Sequence, residues 1–261
     1  MSMSSMAVKV ASTAVRRVLE KAGLRKSYNE AFFETLRKGS ISSAGRVAPM
    51  MVELVRPASV VDVGCGEGHW LAAFRKAGVE DVVGVDGDYV DRSRLAIPKE
   101  RFVPHDLNTV YRSERRFDLA MSVECGEHIR PENSGKFADT LVGLAPVVMF
   151  SAALPYQGGR DHFNERWIDS CMRMFEQRGY AAVDALRAPI WDDRSVEWWY
   201  RQNLMVYVEK GALARYPALV EAGKRHAFPR PVVVHPECYL QGVEWGWTRQ
   251  PSHTKAYPGQ D

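Results

Sequence analysis

A short apolar run that ends in a glycine-rich turn constrains the fold of this chain more than any other feature. The run Ser59–Val63 is rich in valine, and Gly64, Gly66 and Gly68 follow it before a helical pattern begins at residue 69. Valine-rich runs of this length favour buried strands, and glycine lets the backbone turn sharply beside a ligand. The sequence therefore predicts a strand, a ligand-binding turn, and a helix (69–77) whose free N–H groups point at the turn.

Strands and helices alternate through the middle of the chain. Further apolar runs predict strands at 81–85, 101–104, 117–123, 147–152, 180–186 and 203–208, with helices at 136–144 and 163–178. Strands separated by helices form βαβ units. We therefore predict an α/β fold: a Rossmann-like, mostly parallel sheet of about seven strands flanked by helices, with ligands beyond the carboxyl ends of the strands.

The two ends of the chain differ from its middle. The net charge is +3 over 261 residues, with +5 in residues 1–40 and +2 in residues 211–261, which leaves −4 for the middle. Apolar positions at helical spacing in residues 8–22, with basic side chains mostly elsewhere, predict a basic amphipathic helix. We predict a helical extension (1–45), an α/β domain (46–210) and a C-terminal extension (211–261) that begins with a helical pattern and then becomes proline-rich and irregular.

Composition excludes several classes of protein. Hydrophobic residues make up 46% and charged residues 26%, and no run of 18 apolar residues occurs. We therefore expect neither a disordered chain nor a membrane span. The four cysteines stand far apart, without a CxxC pair, which favours a reducing compartment, and we expect a cytoplasmic protein. The mild net charge does not by itself indicate nucleic acid.

An acidic residue marks each of the first three strands. Asp62 lies two residues before Gly64, Asp86 follows the second strand 22 residues after Gly64, and Asp106 follows the third. A carboxylate at Asp86 is suitably spaced to accept from both hydroxyls of a ribose, and Asp106 from an adenine amino group. Asp62 favours a ligand with a positive end over a pyrophosphate. S-adenosylmethionine, which carries a sulfonium, an ammonium and no phosphate, fits this set.

Two other kinds of function stay open. The third glycine follows the second after two residues rather than three, which departs from GxGxxG, and no Tyr-x-x-x-Lys pair is evident. Both facts disfavour an NAD-dependent oxidoreductase, although Asp86 suits either cofactor. A non-catalytic cofactor-binding subunit is the second alternative. Such a protein would keep the complete cofactor motif and would differ from an enzyme only in the residues that contact the acceptor.

Four stretches carry a resemblance to the class I S-adenosylmethionine-dependent methyltransferases. They are SVVDVGCGEGHW (59–70), VVGVDGD (82–88), RFVPHDL (101–107) and FDLAMSVECGEH (117–128). The chain resembles more closely a bacterial branch in which segments similar to SAALPYQGGRDHFNERW (151–167) and WDDRSVEWWYRQN (191–203) follow the core. This resemblance implies methyl transfer within residues 46–210, to small molecules or glycans such as those of natural-product biosynthesis.

The resemblance also implies roles for individual residues. The implied cofactor-binding residues are Asp62, Gly64, Cys65, Gly66, Gly68, Asp86, Gly87, Asp106, Leu107 and Ser122. The first five would cradle the methionine part, Asp86 would hold the ribose, and Asp106 and Leu107 would bracket the adenine.

Two histidines are candidate bases. Methyl transfer is an in-line displacement, so the protein aligns the nucleophile, excludes water and, for a hydroxyl, removes a proton. His162, in a glycine-rich loop after the fifth strand, is our first candidate, and His128, after the fourth strand, is the second. We expect O-methylation of a small molecule or sugar. N-methylation is an alternative because an amine needs no strong base, and both histidines could instead order their loops.

A metal is the alternative to a base. Glu124, Glu127 and His128 share a face if they lie on one helical turn, and His162 would add a second imidazole. Such ligands suit Mg²⁺, Mn²⁺ or Zn²⁺. Some small-RNA 2′-O-methyltransferases resemble this local pattern, but metal-free relatives share it and the middle of the chain is acidic. We therefore predict no metal and no nucleic-acid partner.

Aromatic and acidic side chains cluster between the last two strands. We predict that Trp191, Asp192, Trp198 and Trp199 bind the acceptor, because aromatic faces stack on rings and carboxylates accept from hydroxyls. A packed hairpin or a homodimer interface is the alternative, since tryptophan is enriched at both.

Overall fold

The computed structural model describes residues 24–159 and 161–245. The amphipathic helix predicted for residues 8–22 and the end of the C-terminal extension lie outside the described residues. From Ile41 onward the described residues belong to one compact unit, which contains the sheet. The boundaries predicted at 45/46 and 210/211 stay predictions.

Seven strands and eight α-helices make up the described part of the chain. The strands are β1 (Ser59–Val63), β2 (Asp81–Asp86), β3 (Phe102–Pro104), β4 (Leu119–Val123), β5 (Val147–Ser151), β6 (Tyr180–Val183) and β7 (Met205–Glu209). The helices are α1 (Leu24–Val55), α2 (His69–Lys76), α3 (Ser134–Leu144), α4 (Ile168–Glu176), α5 (Arg187–Ile190), α6 (Trp198–Asn203), α7 (Pro217–His226) and α8 (Pro236–Trp245).

The strands form one sheet in the order β3-β2-β1-β4-β5-β7-β6. Strands β1 to β5 are parallel, with Ser59 opposite Asp81 and Val60 opposite Leu119, whereas β7 runs antiparallel to both β5 and β6. Strand β6 therefore runs parallel to β1, and the β6–β7 connection, which holds α5 and α6, lies at the carboxyl edge of the sheet. The predicted Rossmann-like, mostly parallel sheet is confirmed.

Both faces of the sheet are covered, because neighbouring residues of a strand point to opposite sides. Val60 and Met121 belong to an apolar cluster that includes Met51 of α1 and Leu71 of α2. Val61 belongs to a second cluster, which includes side chains of α3 and α4. Each fully buried side chain of this kind stabilises the fold by about 1.5–3 kcal/mol, so the strand ends are held on a rigid frame.

Two regions differ from the sequence prediction. Helix α4 begins at Ile168 rather than at residue 163, because the N–H groups of Phe163 and Asn164 donate to the Glu127 carbonyl and hold that stretch as a loop. The C-terminal extension contains α7, which overlaps the predicted helical pattern, and also α8, which lies in the part predicted to be irregular. Both helices start with a proline, where a missing N–H has no consequence. Within the described residues, no helix is both long and apolar enough to cross a membrane.

Candidate active site

The glycine turn after β1 is closed tightly against its neighbours. Gly64, Gly66 and Gly68 all have positive φ, at 90°, 51° and 81°. The Gly64 N–H donates to the Val85 carbonyl at 2.8 Å, which ties the turn to β2. A Cβ on Gly64 would lie 2.3 Å from Cys125 Sγ. Only glycine therefore fits at this position, on grounds of both backbone conformation and space.

Asp86 connects the end of β2 to the same turn. Its Oδ2 accepts from the Gly66 N–H at 2.7 Å, and its Oδ1 accepts from the Gly87 N–H and the Tyr89 hydroxyl, each at 2.6 Å. The Tyr89 ring lies against Gly87, where a Cβ would come within 2.1 Å of it. Sequence analysis missed Tyr89, whose only signal is its position three residues after Asp86.

Two buried oxygens beside the turn point to a ligand. Asp62 Oδ1 on β1 and Ser122 Oγ on β4 are buried and find no hydrogen-bond partner among the described residues. Burial, and then the charge of Asp86, raises the pKa of the Asp62 carboxyl well above its usual range. Buried polar atoms without partners are rare in folded proteins. A bound group with donors or a positive charge, such as an ammonium, would satisfy them.

The end of β3 contributes the rim of this site. The Asn108 N–H donates to Asp106 at 3.0 Å and lowers the pKa of that exposed carboxyl. Leu107 Cδ1 lies 3.8 Å from the position a Gly64 Cβ would take, and Cys65 Sγ lies against Gly84 of β2. The structure thus gathers the predicted cofactor residues at the carboxyl ends of β1 to β4.

The loop after β5 holds His162 in one orientation. His162 Nδ1 lies 3.3 Å from Glu165 Oε1, and since a carboxylate only accepts, Nδ1 carries the proton. Nε2 is then the lone-pair atom of the neutral ring, 3.8 Å from Glu127 Oε1 and beyond hydrogen-bond distance. A Cβ on Gly159 would come within 2.1 Å of the ring. Glu165 and Gly159 therefore fix the imidazole from two sides.

His128 lies beside His162. Their ring centroids are 4.9 Å apart in an edge-on arrangement, and His128 Nδ1 lies 3.2 Å from the Asp161 carbonyl oxygen, to which it donates. Partial burial, and then the charge of His162, lowers the pKa of His128. The structure brings both candidate bases together at the carboxyl edge of the sheet.

Two glutamates accompany the histidines. Glu127 is 1% exposed, and its Oε2 makes no hydrogen bond within the described part of the chain. Burial, and then the charge of Glu124, raises the pKa of Glu127 well above its usual range. Glu127, His128 and His162 each offer one possible metal-ligand atom, and these three atoms lie within 4.8 Å of one another. Both oxygens of Glu124 instead accept from side-chain amides, so the four predicted metal ligands do not form one group.

The predicted acceptor-binding tryptophans are largely engaged in packing. Trp198 is 7% exposed and packs edge-on against Trp199, whereas Trp191 packs against Phe228 and His235 at centroid distances of 4.9 and 4.6 Å. Asp192 is exposed and Trp199 is half-buried. Trp191 and Trp198 thus make packing contacts, and their role toward an acceptor stays a prediction.

Comparisons with known proteins address the family and the fold. The family described as a methyltransferase domain matches residues 42–204, which is more than half of the chain. A search of curated protein sequences gave no match.

Several solved structures are similar to this chain. The methyltransferase domain of bacterial CtHen1-C is 20% identical (TM-score 0.49), and the match covers 64% of this chain and 97% of that one. The mitomycin 7-O-methyltransferase MmcR is 15% identical (TM-score 0.50), with 70% and 57% covered. The magnesium protoporphyrin IX methyltransferase ChlM from Synechocystis PCC 6803, with bound S-adenosylmethionine, is 17% identical (TM-score 0.48), with 67% and 81% covered.

At 15% identity and a TM-score of 0.50, the likeness to MmcR concerns the fold alone, and the family match establishes the kind of protein. The chain belongs to the methyltransferase-domain family and is a class I S-adenosylmethionine-dependent methyltransferase.

Proposed function

We propose that this methyltransferase acts on a hydroxyl oxygen of a small molecule or sugar, with His162 as the base that receives the hydroxyl proton. The observation that carries the proposal is the imidazole held by Glu165 through Nδ1, which leaves Nε2 as the proton acceptor. The ring lies at the carboxyl edge of the sheet, where ligands of such folds bind.

The glycine turn and the acidic strand ends hold the cofactor in this proposal. Asp62 and Ser122 receive the methionine end, and their buried oxygens, which lack partners among the described residues, support that assignment. Asp86 binds the ribose, and Leu107 with Asp106 borders the adenine. When bound, the cofactor supplies a methyl group that is already activated by its sulfonium.

The residues of the chain then align the acceptor and move one proton. The bound cofactor would supply the methyl group to the acceptor oxygen, and His162 Nε2 would receive the hydroxyl proton. Glu165, which accepts from Nδ1, keeps the imidazole in the correct tautomer and favours the imidazolium that forms. His128 donates to the Asp161 carbonyl and thereby holds the His162 loop in place.

Acceptors from natural-product and glycan biosynthesis are the first to test. MmcR, whose name records O-methylation of mitomycin, shares this fold. Among the predicted acceptor contacts, Asp192 and Trp199 keep exposed surface and stay in the proposal.

The experiment is an acceptor screen with wild-type protein, which follows S-adenosylhomocysteine formation on phenols, sugars and amines. We expect turnover of hydroxyl acceptors, a loss of kcat of about 10²–10⁴-fold in His162→Gln, and unchanged cofactor affinity. His226→Gln, at the end of α7, is the matched control. Turnover of amines alone would favour N-methylation, and unchanged turnover in His162→Gln would remove this base from the mechanism.

A metal-assisted reaction is the second candidate, favoured by the closeness of Glu127, His128 and His162. One carboxylate and two imidazoles suit Zn²⁺ or Mn²⁺, and a metal there would lower the pKa of a bound hydroxyl in place of a base. Dialysis against a chelator distinguishes the two. The base mechanism predicts unchanged activity, whereas loss that added metal restores would favour the metal.

A further inference from the structure

Three side-chain amides form a buried cluster beside the active-site edge of the sheet. Gln157 comes from the loop after β5, and Gln202 and Asn203 come from the end of α6. They are 7%, 0% and 2% exposed. Asn203 Nδ2 donates to Gln157 Oε1 at 2.8 Å, and Gln202 Nε2 donates to Asn203 Oδ1 at 3.1 Å. We call these three residues the amide cluster.

Two residues of the amide cluster donate hydrogen bonds to the Glu124 carboxylate. Gln157 Nε2 donates to Glu124 Oε2 at 2.9 Å, and Asn203 Nδ2 donates to Glu124 Oε1 at 3.2 Å. Each carboxylate oxygen thus receives one fixed donor. Because a carboxylate offers about four acceptor sites, about two remain for another partner.

The backbone of Glu124 is constrained as well. Its φ is 49°, in the left-handed region that non-glycine residues avoid, and its N–H donates to Ser151, to the carbonyl oxygen at 3.1 Å and to Oγ at 3.0 Å. Such strained residues concentrate at functional sites. Glu124 is half-buried and directly follows β4. The loop that carries His162 is joined to the same stretch, because the N–H groups of Phe163 and Asn164 donate to the Glu127 carbonyl oxygen.

The segment before α8, residues 231–235, is hydrogen-bonded to the amide cluster and to Arg187 of α5. The His235 N–H donates to Gln202 Oε1 at 2.7 Å, and His235 Nε2 lies 3.0 Å from the Trp191 carbonyl oxygen. Arg187, which is fully buried, donates to the carbonyl oxygens of Pro231 at 2.8 Å and Gln202 at 3.3 Å. The C-terminal extension is thereby connected to Glu124 through an unbroken series of hydrogen bonds.

We propose that Glu124 binds a second hydroxyl of the acceptor, close to the one that is methylated, and that the amide cluster and residues 231–235 position its carboxylate for this contact. The acceptor is then a diol, such as a sugar or a catechol, with one hydroxyl at His162 Nε2 and the other at Glu124. This inference rests on the proposed function for the hydroxyl at His162. A carboxylate and three amides are costly to desolvate in a core, and an acceptor contact explains why they are placed here.

The positioning part is tested without an acceptor. Side-chain amide signals of Asn and Gln are recorded by ¹⁵N NMR on the full chain with S-adenosylhomocysteine bound. We expect the signals of Gln157 and Asn203 to move in Glu124→Gln and in Gln202→Leu, and to stay in place in Gln177→Ala, which alters an exposed amide on another helix end. Unmoved signals in the first two variants would overturn the positioning role.

The acceptor part is tested by kinetics with a diol and its mono-hydroxyl analogue. We expect Glu124→Gln and Asn203→Ala each to raise KM for the diol by about tenfold, with little change for the analogue or for S-adenosylmethionine. Because Asn203 acts through Glu124, the double variant should be no worse than Glu124→Gln alone. Additive losses, or equal losses on both acceptors, would overturn the contact.

The two proposals fail in different ways. Absence of turnover with any hydroxyl acceptor in wild-type protein would overturn the proposed function and the Glu124 contact together, while the amide signals still decide the positioning role. Turnover of mono-hydroxyl and diol acceptors with equal KM would overturn the Glu124 contact and leave the proposed function standing.

Discussion

Replacement of Asp86 by alanine should weaken cofactor binding more than any other single change at the glycine turn. The carboxylate already accepts from the Gly66 and Gly87 N–H groups at 2.7 and 2.6 Å, so it is fixed at the end of β2. In the proposed site it also accepts from the two ribose hydroxyls. Alanine removes both ribose contacts and loosens the turn, and both effects lower affinity.

The size of the effect follows from the number of bonds lost. A hydrogen bond to a charged group contributes about 1.5–3 kcal/mol, so two of them contribute about 3–6 kcal/mol. This corresponds to an increase in Kd of about 10²–10⁴-fold. Calorimetric titration with S-adenosylhomocysteine measures it, and Asp88→Ala, which alters an exposed carboxylate two residues away, is the matched control with unchanged Kd.

A modified ligand separates the ribose contact from a general loss of structure. The 2′-deoxy analogue of S-adenosylhomocysteine should bind wild-type protein about tenfold or more weakly than the parent, and should bind Asp86→Ala as well as the parent does. Binding of Asp86→Ala within threefold of wild type, or the same 2′-deoxy penalty in both proteins, would refute the assignment.

Three further predictions concern the same site. Because burial raises the pKa of Asp62, and the carboxyl must be ionised to bind an ammonium, cofactor affinity should fall as the pH is lowered, and Asp62→Asn should lose this dependence. A calorimetric profile of the wild type that is flat across the pH range in which the protein stays folded contradicts this. Gly64→Ala should lower the free energy of unfolding by about 2–5 kcal/mol, because alanine disfavours the positive φ and its Cβ would overlap with Cys125. An unchanged midpoint of urea unfolding would contradict the described turn. Tyr89→Phe should tighten cofactor binding by about threefold to tenfold, because the hydroxyl competes for Asp86 Oδ1; weaker binding would mean that it helps to hold the ligand.

The parts of the fold that the sequence predicted are those set by local pattern. The valine-rich run gave β1 at Ser59–Val63 without error, and Phe137, Leu141 and Leu144 at helical spacing gave the buried face of α3. The start of α4 was misplaced by five residues, because Phe163 and Asn164 bond to the distant Glu127 carbonyl, and no local pattern encodes that contact.

In the candidate site, too, residues set by a local pattern could be predicted and residues set by contacts beyond it could not. Asp62, Asp86 and Asp106 could be predicted, since parallel strands bring their carboxyl ends to one edge. Glu165 was missed as the partner of His162, although it lies only three residues away, because several nearby acids could serve.

The amide cluster could not be predicted. Gln157 and Asn203 are 46 residues apart, and polar amides carry no periodic signal that would pair them. The ring of Trp191 packs against His235, 44 residues away, and this contact likewise has no local signal in the sequence. Contacts that join distant parts of the chain thus account for most of what sequence analysis missed.

Calorimetric titration of the full chain with S-adenosylmethionine, and separately with NADH, tests the central claim most directly. We predict micromolar binding of S-adenosylmethionine and no binding of NADH. The prediction follows from the acidic strand ends and from the buried oxygens of Asp62 and Ser122, which lack hydrogen-bond partners among the described residues. Binding of NADH, or of neither ligand, would contradict the account of this site.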